Sequence, residues 1–488
     1  MERYEGFGAC LQRLLTAEGM SASEAARLVG FRSRNSIFRI LSGDTSSDVD
    51  ARFLSNFRKA LDGSWPKAHW DALEQALRIK RVGLEKFRSN QSFCRAMFEC
   101  SEARRFEAES VAADGKTVVV PLEKLLEEIC GGRETTVVIC GCINRSLAAL
   151  LASLFDEAGE TGQLTVRHYI DIQGSAAVHN ILAMLPLLSK VWYNARLVGE
   201  ERCPEEIAAM YRTNVMNIRT VQPDGSVCNH QLVQYDSSLF LHVYVPDEDN
   251  NLRRVLDRCR FQLELLKPMV SLKGGAADFV QYTAQYGQLE QEGMILSIKP
   301  DIHFNLIPTD MLYQAMLEGF ELNGLASGDD LLELLTTLQG IHDERCRNMW
   351  EKRRPTHIVY SLPAMERFMQ TGVQTDHFFV QRAYTPDERR RIIERLLLQM
   401  RMNPFFNVYF LRPDLPELRH EMTFYEGKGV LLMDAYTGYD LHDDHSEALI
   451  TLPQFMSSFQ QFFMEELLGR MTLSRAESVA ELERLAQM

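Results

Sequence analysis

The chain has 488 residues, 45% hydrophobic and 25% charged, so it exceeds one ordinary domain and holds enough apolar side chains for sizeable cores. That balance excludes a disordered or fibrous chain, and no run reaches the roughly 18 apolar residues that cross a bilayer. The net charge of −14 is unevenly placed: residues 1–105 carry 18 Lys+Arg against 13 Asp+Glu, a net of +5, which leaves −19 for the remainder. A basic head on an acidic body fits a DNA-binding module joined to a domain that does not bind DNA. The 10 cysteines are scattered, Cys140-Gly-Cys142 is the one close pair, and no C-x-x-C or zinc-site spacing occurs. With a charged Met1–Glu5 start and no targeting segment, the expectation is reduced thiols, a cytoplasmic protein, no metal and no cofactor.

In chain order, apolar spacing predicts a helix over about 7–18. Ser21 stands three residues before Glu24, the capping-box spacing, so a second helix starts there and Gly30 closes it with a left-handed turn. Ser33 caps a third helix in which Ile37, Ile40 and Leu41 share one face, and Gly43 stops it. Arg34, Asn35, Ser36, Phe38 and Arg39 are left pointing outward, side-chain types that suit a groove floor and its flanking phosphates. A fourth helix follows over about 51–61. A plain helical hairpin with a solvated basic face accounts for any one of these signals, but less well for their order.

These residues resemble the lambda-repressor/Cro-like helix-turn-helix family over about residues 7–61. Leu11, Leu14 and Leu15 match its first helix, Gly19-Met20-Ser21 the turn before its second, Ala26 its small hairpin residue, and Ile37 and Ile40 the buried face of its recognition helix. The lactose-repressor type is echoed too, but the extra first helix fits the Cro-like form better. Two positions depart from the pattern: Ala22 stands where many members carry a DNA-contacting Gln, and Phe38 where the groove usually meets a polar residue. The resemblance implies binding to double-stranded DNA as a homodimer, with recognition helices in successive major grooves. Arg34 and Asn35 are then expected at base edges, Ser36 beside them, Arg32 and Arg39 on phosphates, and Phe38 on a thymine methyl.

Beyond the head, Trp65-Pro66 opens a helical connector whose apolar spacing continues through Trp70, Leu73, Leu77, Leu84 and Phe87, and Ala112–Lys116 is a turn-rich break. The body then repeats an order of elements. Thr135–Cys140, a helix to Ala158 and Leu164–Asp171 parallel His377–Val380, a Thr385–Glu388 capping box with its helix to Met400, and Asn407–Leu411. Hairpins at 232–244 and 422–436, each followed by a long helix (250–267 and 452–469), extend the parallel. The expected fold is multidomain: a small all-α helix-turn-helix domain and a large α/β body of two similar lobes, with one continuous mixed sheet as the alternative. The domains are 1–62 (DNA-binding), 63–116 (helical connector), 117–272 (first α/β lobe), 273–355 (mainly helical insert) and 356–488 (second α/β lobe with C-terminal helices).

Catalytic signatures are sparse. His442-Asp-Asp-His445 with Glu447 has metal-ligand types, but adjacent residues cannot all converge on one ion. Asn144 and Arg145 lie where a strand ends and a helix begins, a place suited to a small anionic ligand. No G-x-S-x-G elbow or P-loop occurs. A duplicated α/β body is similar in outline to phospholipase-D-like proteins, which pair two halves around His-x-Lys motifs, and no His-x-Lys exists here. The chain is therefore expected to be a cytoplasmic, membrane-free transcription regulator without enzymatic activity, its body sensing an unknown effector or partner protein. An interaction protein with a degenerate head, or a metal-dependent hydrolase, is the alternative.

Overall fold

The computed structural model describes residues 5–31, 33–61, 64–98, 105–111, 116–131, 134–171, 177–188, 190, 192–198, 214–246, 254–255, 258, 279–302, 306–323, 329–374, 382–418, 420–434 and 447–488. Among them are seventeen α-helices and two mixed sheets, and the chain divides into two compact units, Met1–Gln91 and Ser92–Met488. The protein is thus multidomain, with a large α/β body. No helix among the described residues is long and apolar enough to cross a membrane.

The N-terminal unit is built from α1 (Phe7–Ala17), α2 (Ala22–Leu28), α3 (Arg34–Leu41), α4 (Ser47–Leu61), α5 (Lys67–Val82) and the start of α6 (Leu84–Phe98). Each helix turns one apolar stripe inward. Leu11, Leu14, Ala25, Ile37, Ile40, Phe53, Phe57, Trp70 and Leu73 fall in a single core. The segment expected as a connector is therefore divided. Its first helix, α5, packs in the N-terminal core through Trp70, Leu73 and Ala76, whereas Phe93, Ala96 and Met97 of α6 lie in the core of the second unit.

The second unit holds an eight-stranded sheet in the order β2-β1-β8-β7-β6-β3-β4-β5. Its strands are β1 (Glu107–Val111), β2 (Thr117–Pro121), β3 (Glu134–Cys140), β4 (Leu164–Asp171), β5 (Tyr193–Val198), β6 (Val215–Val221), β7 (Val227–Gln234) and β8 (Leu239–Tyr244). The six-stranded sheet runs β11-β10-β9-β12-β13-β14, with β9 (Ile295–Lys299), β10 (Thr356–Tyr360), β11 (Phe406–Phe410), β12 (His420–Tyr425), β13 (Gly429–Asp434) and β14 (Glu447–Ile450).

A common strand order links the sheets. In one, β3, β4 and β5 are parallel and β6, β7 and β8 follow antiparallel from the other side of β3. In the other, β9, β10 and β11 are parallel and β12, β13 and β14 follow antiparallel from β9. This corrects the element matching drawn from sequence by one strand. The counterpart of β3 is Ile295–Lys299, inside the stretch expected to be a mainly helical insert, and His377–Val380 lies outside the described residues. The first sheet also begins earlier than 117, since β1 pairs with both β2 and β8. One buried cluster joins the sheets, with Val137, Ile139, Val166 and Leu232 alongside Leu296, Ile298, Met422 and Phe424. Phe93 stands against Phe455, Phe459 and Phe462 in it, at ring-centroid distances of 5.5, 5.5 and 5.0 Å.

Candidate nucleic-acid interface

The α2–α3 pair is defined at each end by local hydrogen bonds. The Ser21 hydroxyl accepts from the Glu24 amide at 3.2 Å, and the Glu24 carboxylate accepts from the Ser21 amide at 2.8 Å, completing the box. The Ser21 hydroxyl and amide also hold the Glu24 carboxyl below its ordinary value. After α2, Phe31 N–H bonds back to Ala26 O at 2.9 Å and Gly30 N–H to Arg27 O at 3.1 Å, a Schellman closure that needs Gly30 at φ 74°. Ser33 Oγ then accepts from the Asn35 amide at 3.2 Å, and α3 begins. Ile37 and Ile40 are fully buried, and this fixes which face of α3 looks outward.

On that face Asn35, Phe38 and Arg39 share i, i+3, i+4 spacing and are exposed, with Phe38 at 54% exposure, while Ser36 is half-buried at the side. Arg34 is the first residue of α3, but its side chain, like the whole of Arg32, lies outside the described residues. Arg39 donates Nη2 to Asp44 O at 3.3 Å, so its guanidinium is held beside the turn that ends α3. Asp44 is an acidic residue at this edge that sequence reasoning missed. Its carboxylate accepts from Ser42 Oγ at 2.6 Å and sits next to a side chain expected to meet phosphate.

Beneath the turn, the buried Asp50 carboxylate accepts from Lys80 Nζ at 2.7 Å and from Thr45 Oγ1 at 2.5 Å, and Lys80 also donates to Gly43 O at 3.2 Å. α5 thereby supports the end of α3 through one ammonium group. No local pattern announces this pair, because its members sit on different helices.

In the second unit, Asn144 and Arg145 are occupied within the protein. Asn144 Oδ1 caps the helix Arg145–Glu160 by accepting from the Leu147 amide at 2.9 Å. Arg145 donates Nη1 to Arg95 O at 3.2 Å and Nη2 to His420 Nε2 at 2.6 Å. His442–His445 lies outside the described residues, and among those described no group of three His, Cys, Asp or Glu is placed to hold a metal.

No family model and no curated protein matches the chain. Among solved structures it is similar to phosphatidylserine synthase from Haemophilus influenzae Rd KW20, at 10% identity over 83% of this chain and 97% of that one, with a TM-score of 0.24. It is also similar to polyphosphate kinase from Porphyromonas gingivalis, at 8% identity over 75% of this chain and 54% of that one, with a TM-score of 0.22. The expectation that the chain has no enzymatic activity is corrected here: both of these structures are of enzymes, so that exclusion does not stand. Likeness at these scores assigns no reaction to the chain.

Proposed function

We propose that this protein is a sequence-specific DNA-binding regulator whose α2 and α3 form a helix-turn-helix with α3 as the recognition helix. The observation that carries this reading is the way Ile37 and Ile40 anchor α3, leaving Asn35, Phe38 and Arg39 together on its open face. Asn35 suits the N6/N7 edge of adenine, Phe38 a thymine methyl, and Arg39 a backbone phosphate. The net +5 of the first 105 residues is modest, so two heads acting together, as a homodimer, supply affinity that one does not. The body, with its recurring strand order, is read as two similar lobes that respond to an effector or partner.

Selection of bound sequences from a random DNA pool by the full chain tests this. The expected result is a recurring half-site for the wild type that an Arg34→Ala/Asn35→Ala double variant loses. Recovery of the same background by both proteins sinks the proposal.

A further inference from the structure

Two buried arginines bond to one glutamate, Glu290, one at its carboxylate and the other at its main-chain carbonyl. Arg345, in the helix Asp329–Trp350, sets Nε 3.0 Å and Nη2 2.6 Å from the two oxygens of Glu290, a fork-to-fork pair in which both residues are fully enclosed. Arg354, in the turn before β10, donates Nη1 to the Glu290 main-chain carbonyl. Its Nε and Nη2 reach no hydrogen-bond acceptor among the described residues, although the residue is only 7% exposed. That edge is the same two-donor fork with which Arg345 holds Glu290.

Among the described residues two guanidinium groups meet one glutamate here, with the phenols of Tyr286 and Tyr425 beside them. The Tyr286 ring lies 5.0 Å from Arg345 Cζ, and its hydroxyl is buried without a hydrogen-bond partner among the described residues. Tyr425 packs with Tyr286 in one apolar cluster, and burial raises its phenol so that it stays neutral. Burial also pushes Arg354 below the ordinary arginine value. Glu351, Lys352 and Arg353 are exposed in the same turn, one acidic residue against two basic ones.

We propose that the Nε/Nη2 edge of Arg354 is a binding site for a small oxyanion, a carboxylate or phosphate group whose two oxygens accept from both donors. The ligand supplies acceptors for the two unpartnered donors of Arg354, and its geometry is that of the Arg345–Glu290 pair already present. The site stands apart from the DNA reading, and either can fail without the other.

The test is calorimetric titration of the full chain with inorganic phosphate and, separately, with sodium succinate. Binding of at least one of them below about 10 mM is expected, and which anion binds distinguishes the two sources. Arg354→Lys keeps the charge but removes the fork, and is expected to weaken binding at least about tenfold. No binding of either anion, or unchanged binding by Arg354→Lys, overturns the proposal. If Arg354→Lys proves unfolded in its thermal melt, crystals of the wild-type chain grown with selenate decide. An anomalous peak within hydrogen-bond distance of Arg354 Nε and Nη2 supports the site, and peaks only at surface cations, an adventitious ion only, overturn it.

Discussion

Lys80 reaches from α5 to Asp50 of α4 and places its Nζ 2.7 Å from a carboxylate that solvent does not touch. Removing one member of such a pair leaves the other charge buried alone. Lys80→Met is therefore expected to destabilise the N-terminal unit by roughly 3–5 kcal/mol, and Lys80→Met/Asp50→Asn by less. Urea unfolding of the full chain, followed through the fluorescence of buried Trp65 and Trp70, measures both. A double variant no better than Lys80→Met would show that charge balance is not what the pair provides.

Gly8 marks the closest approach of α1 to α3. A Cβ there would lie 2.4 Å from both Ile40 O and Leu41 O, and these are main-chain atoms that cannot rotate aside. Gly8→Ala is expected to cost about 1–3 kcal/mol by forcing the helices apart. Gly6→Ala meets nothing within 4 Å and serves as the neutral control. Equal melting temperatures for the two variants would contradict the packing described.

At the candidate interface, stability and binding should separate. Asn35→Ala and Phe38→Ala touch exposed side chains, so unfolding free energies are expected to stay within about 0.5 kcal/mol of wild type. DNA affinity, measured on a sequence recovered from the random pool, is expected to fall by about 1–3 kcal/mol for Asn35→Ala. Asp44→Asn removes a negative charge beside Arg39 and is expected to raise affinity a few-fold at low salt, with the gain fading as ionic strength rises. Weaker binding by Asp44→Asn would place phosphate elsewhere than at Arg39.

Two enclosed histidines make the second unit acid-sensitive. His168 is held between Tyr193 Oη at 2.6 Å and Gly141 O at 2.7 Å, and His342 Nε2 donates to Ile307 O at 3.0 Å. Burial lowers both to about 4, below the 6.5 of an open imidazole. Between these values the unfolded chain binds more protons than the folded one. Stability is then full above pH 6.5 and lost as pH falls towards 4, on the order of 3 kcal/mol for each histidine. Urea midpoints at pH 7 and pH 5 are expected to differ for the wild type, to differ less in His168→Gln or His342→Gln alone, and least in the double variant. Glu388, held to about 2 chiefly by Arg382, loses its share only at lower pH.

What could be read from the sequence was contiguous. The Ser21–Glu24 box, the Ser33 cap, the Gly30 turn and the Ile37/Ile40 stripe each lie within a few residues, and all appear in the structure. The order of the sheets was only partly legible. Repetition showed through, but displaced by one strand, because Ile295–Lys299 carries Ser297 and Lys299 and does not look like the centre of a sheet. Those side chains are acceptable there because Thr423 pairs with Ser297 and Glu421 with Lys299, across β12 and more than a hundred residues later. The same holds for Asp50 with Lys80 and for Arg145 with His420, whose partners come from distant segments.

The strand β9 has consequences for assembly on the ribosome. It sits between β10 and β12, so its edge towards β12 stays open until residue 425 has been made. The Phe93 cluster waits longer still, for Phe455, Phe459 and Phe462. The apolar core of the N-terminal unit, from Phe7 to Ala76, is complete once its first 91 residues have been made. Synthesis therefore passes through a long interval in which a finished head precedes an open apolar sheet, and in that interval the nascent body is most dependent on chaperone protection.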